Sequence, residues 1–131
     1  MRAAPGLAAA LALTAPACGA GDEPGWYAAA QATRGAAVYA AHCAACHGAG
    51  LQGGSAAPLG PPALDDRWAG LPLADLLHVV RTQMPWGAPG SLTSQAYLDV
   101  TAFLLAASGY PAGESPLVDD PAQLAPRVLG R

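Results

Sequence analysis

Lysine is absent from this chain of 131 residues, phenylalanine occurs once, and charged residues of every kind amount to only 11%. Each scarcity removes a class of protein. Charge this far below the usual quarter of a globular chain excludes a highly charged disordered tail. The basic residues are all arginine (Arg2, Arg34, Arg67, Arg81, Arg127 and Arg131). They form no block that could cover nucleic-acid phosphates, so no nucleic acid is expected as a partner. No run approaches the roughly 20 apolar residues that span a bilayer. The hydrophobic fraction of 53% is swollen by alanine, which has little surface to bury. One small domain with a thin core is therefore expected, and such domains usually need a disulfide, metal or cofactor as a staple.

The first residues read as an export signal over 1–17. Arg2 supplies the positive start, Leu7 to Leu13 a short apolar run, and Ala15-Pro16-Ala17 a small-residue cleavage pattern. The expected location is periplasmic or otherwise extracytoplasmic. Cys18 follows directly, where a bacterial lipoprotein carries its lipidated cysteine, although Ala15 and Pro16 depart from the usual lipoprotein box. Lipidation would give the only membrane attachment; removal with the signal and retention as a free thiol are the alternatives. Cleavage before Cys18 removes Arg2 and leaves a mature charge of −4, five arginines against nine acids.

Residues 18–26, mostly turn-formers and acids, read as a linker. An all-α domain of three main helices with long connections follows over 27–113, and no strand pattern stands out. Residues 27–43 are alanine-rich and free of proline, which suits a helix. Gly35 lies four positions before Tyr39 on the same helical face, and a helix-interior glycine costs about 1 kcal/mol against alanine, which hints at a close helix crossing. Residues 48–63, rich in Gly, Ser and Pro, form a long loop of the kind that is functional or wrapped around something. Pro72 starts the second helix at its first position, with Leu73, Leu76, Leu77 and Val80 as its buried stripe, and Pro85 ends it. The third runs from Thr93 to Ala107 before the stop signal of Gly109 and Pro111. Residues 114–131 form a Pro-rich extension with scattered apolar residues, either wrapped on the domain or disordered.

The specific signal is Cys43-Ala44-Ala45-Cys46-His47, a C-x-x-C-H attachment site for c-type haem. Two thiols three positions apart reach the two vinyl groups on one haem edge, and the next residue brings its imidazole to the iron from the same side. The thioether bonds keep the cofactor on a chain too small to hold it otherwise. A thioredoxin-like pair would need a βαβ setting that this chain lacks. Zinc would need four ligands, and His42 and His78 are not placed as a second pair. The distal ligand is expected to be Met84, the only methionine once the signal is removed, at the loop start bounded by Pro85 and Gly87. His78 lies off the leucine stripe and His42 points away from the iron, so both are expected at the surface.

With those residues in hand the chain resembles a class I c-type cytochrome. The resemblance covers residues 27–113. It rests on Gly35-x-x-x-Tyr39, the haem motif with Gly48, Gly60-Pro61-Pro62-Ala63-Leu64, Trp68, Met84-Pro85 and the terminal helix around Tyr97. The segment from Met84 to Leu92, with Gly109-Tyr110-Pro111, is similar to bacterial cytochromes that accompany quinoprotein dehydrogenases.

The resemblance implies that Gly35 and Tyr39 cross the terminal helix near Tyr97 and Phe103. It implies that a carbonyl of the 60–64 turn, Pro62 or alternatively Pro61, holds the Nδ1–H of His47. Trp68 would reach a haem propionate through its indole N–H, and Trp86 would lie beside the exposed haem edge where partners dock. The lysine ring through which mitochondrial relatives dock is missing, so an apolar patch or a basic partner surface is expected instead. The reading is an exported monohaem cytochrome, not an enzyme, with one haem c held by Cys43, Cys46 and His47 and its iron ligated by His47 and Met84. It passes single electrons by outer-sphere transfer between redox partners, a quinoprotein dehydrogenase or a terminal oxidase among them, either free or as a tethered subunit of such a complex. The alternative is a haem-based ligand-binding or sensor domain whose sixth site is open or held by a displaceable Met84.

Overall fold

The computed structural model describes residues 24–130 and the isolated positions 1–4, 6 and 10. Most of the export signal, and Cys18 with it, lies outside the described residues. Two-residue strand β1 (Tyr27–Ala28) leads into α1 (Ala29–His42), followed by α2 (Ala44–His47), α3 (Ala63–Trp68), α4 (Leu73–Gln83), α5 (Ser94–Ala107), β2 (Ala112–Gly113) and α6 (Pro121–Leu124). The molecule is a small, mostly helical domain built on α1, α4 and α5.

The first helix starts at Ala29 because Tyr27 and Ala28 are occupied elsewhere, paired in parallel with Ala112 and Gly113. So short a ladder has no alternating pattern, which is why the sequence does not announce it. Gln31 turns the chain into the helix: its Oε1 accepts from Ala28 N at 3.0 Å. α4 begins one residue later than expected, with Pro72 in extended conformation as its N-cap. The amide of Leu73 donates to Arg127 O at 2.7 Å, so a helix-end donor finds its partner in the chain's last segment. At α5, Thr93 caps, its Oγ1 accepting from Ala96 N at 3.1 Å. Gly109, at φ 83°, stops that helix.

Helices α1 and α5 meet at Gly35. A Cβ there would lie 1.9 Å from Asp99 O and 2.8 Å from Phe103 Cβ, so only glycine permits the approach. Beside the contact, Arg34 forms a two-pronged ion pair with the buried Asp99, Nε to Oδ2 at 2.9 Å and a terminal nitrogen to Oδ1 at 3.0 Å. Gln95 adds a third bond to that carboxylate at 2.8 Å. Tyr39 and Phe103 stack at a tilt, with centroids 5.2 Å apart. Phe103 thus stands at the crossing as the resemblance implied, whereas the atoms nearest Gly35 belong to Asp99 rather than Tyr97.

The last segment is part of the core. Leu117, Leu124 and Leu129 are all buried, with exposures of 1%, 3% and 1%. Leu129 pairs across residues 70 and 71, and Arg127 donates to the carbonyls of Trp26 and Gly25 at 3.2 and 3.3 Å. Gln31 holds the same segment from α1: its Nε2 donates to Leu117 O at 2.8 Å and its Oε1 accepts from Leu117 N at 2.7 Å. Apolar residues too sparse to build a core alone are sufficient to close one.

Candidate haem site

Tyr39 and Cys43 close the last turn of α1, with Cys43 N donating to Tyr39 O at 2.9 Å. At Cys43 the backbone leaves the helix (φ −124°, ψ −37°) and α2 starts on a new axis. That break carries Cys43, Cys46 and His47 to one cavity of about 410 Å³. The volume falls within the roughly 300–1,000 Å³ of small-molecule sites. Leu59, Val80, Val100 and Leu104 supply apolar wall, and Met84, Pro85 and Trp86 line it from the end of α4. Trp86 is 85% exposed, which places it at the mouth. His42 also lines the mouth and is exposed, and His78 is exposed on α4.

The loop after the motif is tied back onto it. Gly53 N donates to His47 O at 2.7 Å and Ala56 N to Cys46 O at 3.0 Å. The fold-back brings the Ala57 carbonyl to 2.7 Å from His47 Nδ1. A carbonyl can only accept, so Nδ1 carries the proton and Nε2 keeps its lone pair for a metal. The expectation of Pro62, or Pro61, in this role is corrected. The carbonyl of Pro62 is engaged by Asp66 N at 3.0 Å in the first turn of α3, and the loop meets the imidazole earlier. Ala57 offers only a backbone atom, which no residue-type signal could have revealed.

Trp68 is likewise placed differently. It packs half-buried on the hydrophobic core and does not line the cavity. The helix that carries it is held toward the C-terminal segment, where Tyr110 Oη donates to the Asp65 carboxylate and accepts from Gly130 N at 2.9 Å. Tyr39, read in sequence as a packing residue, does more. It lines the cavity and donates to Gly48 O at 2.6 Å, fixing the residue after His47. Gly48 sits at φ 90°, and a Cβ there would strike the Gln52 side chain. Burial, and then the neighbouring Cys43, push the Tyr39 phenol upward, and burial raises the Cys43 thiol as well. Among the described residues no three or more His, Cys, Asp or Glu side chains stand close enough to share one metal ion.

The donor set fits a haem. Two thiols and an oriented imidazole share one apolar cavity with a thioether, soft and nitrogen donors suited to covalently held iron porphyrin. Fold and site together define a c-type cytochrome domain that binds haem c covalently and works in electron transfer. The family model for "Cytochrome C oxidase, cbb3-type, subunit III" matches residues 30–104, from the second residue of α1 into α5. The chain belongs to that family. No curated protein and no solved structure matches it significantly. Domains of this class act outside the cytoplasm with redox-protein partners. Among the described residues no helix is long and apolar enough to cross a membrane.

Proposed function

We propose that His47 and Met84 are the two axial ligands of the haem iron, and that the protein carries single electrons by outer-sphere transfer. One observation carries the reading: His47 and Met84, from separate elements, line the same cavity, with the two motif thiols on it as well. Bound haem supplies a one-electron iron couple. His47, its tautomer set by Ala57 O, offers Nε2 on one side. Met84 offers a neutral thioether, which favours the reduced state relative to a second imidazole and raises the potential. Held by His47 and Met84, the haem would supply electron transfer rather than a binding position for substrate. Leu59, Val80, Val100 and Leu104 give the cavity an apolar wall, which would limit the solvent that reorganises when the charge changes.

Partners dock at the mouth marked by Trp86. The surrounding stretch Gly87-Ala88-Pro89-Gly90 is uncharged, which suits an apolar contact in a chain without lysine. The family description supports a terminal oxidase as the acceptor complex, and the likeness of the segment from Met84 to Leu92 supports a quinoprotein dehydrogenase as donor. The Arg2–Ala17 pattern supports export to the periplasm, with Cys18 available for lipidation.

The test is the optical spectrum of the purified, exported protein in both oxidation states, with carbon monoxide added to the reduced form. Low-spin covalent haem, a methionine–ferric charge-transfer band and no carbon monoxide shift are expected. Met84→Ala should lose the band, bind carbon monoxide and lower the potential. A wild-type haem that binds carbon monoxide at once would replace the carrier by a ligand-binding sensor.

A further inference from the structure

Tyr97 lies in the first turn of α5 and is only 2% exposed. Its hydroxyl donates to Met84 O at 2.8 Å and accepts from Leu92 N at 3.3 Å. Those two atoms stand at opposite ends of the segment 84–92, which carries Met84, Pro85 and Trp86 along the cavity. The segment also bonds to itself, through Gly90 N to Met84 O at 3.3 Å, Ala88 N to Pro85 O at 2.9 Å and Ser91 N to Ala88 O at 3.3 Å. Such internal bonds give it a shape but leave its place on the domain unset. Met84 N reaches Val80 O at a long 3.3 Å, and the thioether beyond swings on three rotatable bonds. A single buried oxygen on α5 ties both ends of the segment to the body of the protein.

We infer that Tyr97 is a positioning residue: its hydroxyl pins the 84–92 segment shut and so keeps the Met84 thioether in the cavity. This rests on the reading of Met84 as distal ligand. The ring itself is buried packing, which phenylalanine would retain, so the two roles of Tyr97 are separable by removing one oxygen.

The experiment measures how fast imidazole binds ferric iron in the intact holoprotein, together with the methionine–ferric charge-transfer band. Tyr97→Phe should keep the band and take up imidazole about tenfold faster, the effect of losing two ordinary hydrogen bonds that hold the segment closed. Tyr27→Phe is the control. It deletes another buried hydroxyl, bonded to Tyr110 O at 2.7 Å and outside the segment, and should stay at the wild-type rate. Wild-type kinetics in Tyr97→Phe would overturn the inference, as would equal acceleration in Tyr27→Phe, which would mean general loosening. Met84→Ala separates the two readings. If it leaves the spectrum unchanged and binds imidazole no faster than wild type, the ligation itself fails and the positioning role falls with it.

Discussion

Replacing Gly35 by alanine adds one methyl group at the α1–α5 crossing. That methyl would lie 1.9 Å from the Asp99 carbonyl oxygen, whereas real Cβ contacts hardly ever fall below 3.0 Å. The two helices must part by about 1 Å, because a backbone carbonyl cannot swing aside as a side chain can. The shift strains the Arg34–Asp99 pair and the Tyr39–Phe103 stack together. Overpacking of this kind costs about 1–3 kcal/mol, here at the upper end because the clash is with backbone. Against this, alanine improves helix propensity by about 1 kcal/mol. A net loss of about 2 kcal/mol follows, equivalent to a fall of about 8–16 °C in Tm for a domain of this size. The assay is a thermal melt of the oxidised holoprotein, followed by circular dichroism and the haem absorbance. A Tm equal to or above wild type would refute the close crossing, since propensity alone would then govern the site.

Three further outcomes are expected. Gln31→Leu strands the amide and carbonyl of buried Leu117 and should cost about 2–4 kcal/mol in denaturant unfolding; an unmoved midpoint would show the Gln31 bonds to be idle. Leu124→Ala should cost about 2–5 kcal/mol if the last segment is core, and almost nothing if it is an attached tail. Tyr27 and Tyr39 are held above the ordinary phenol value of 10.0, in both cases first by burial. A folded-state pKa above the unfolded one gives stability that is complete below pH 10 and declines as pH rises through the folded value. Unfolding midpoints should therefore fall above pH 10, less steeply in Tyr27→Phe, and parallel curves would exclude Tyr27 as a contributor.

Residues that act through their side chains were the legible part of this protein. The haem motif could be read because thiol spacing is chemistry. The leucine stripe of α4 and the stops at Pro85 and Gly109 could be read because periodicity and backbone restriction are local. Backbone donors and acceptors left no such mark. Ala57 holds His47 with a carbonyl that any residue would provide, and Pro62, chosen for its resemblance, spends its own carbonyl on α3. The resemblance implies a place for Tyr97 at the helix crossing, and only the packing shows its hydroxyl turned to the Met84 segment. The last segment was ambiguous for a different reason. Its leucines are too few to signal a core and count only when laid on one formed by residues far away in the chain.

That last segment also sets an order of events. The Leu73 amide, the face covered by Leu129 and the carbonyls of Gly25 and Trp26 all wait for residues 127–129. The core is complete only when this segment, far in sequence from the elements it covers, has been laid on them.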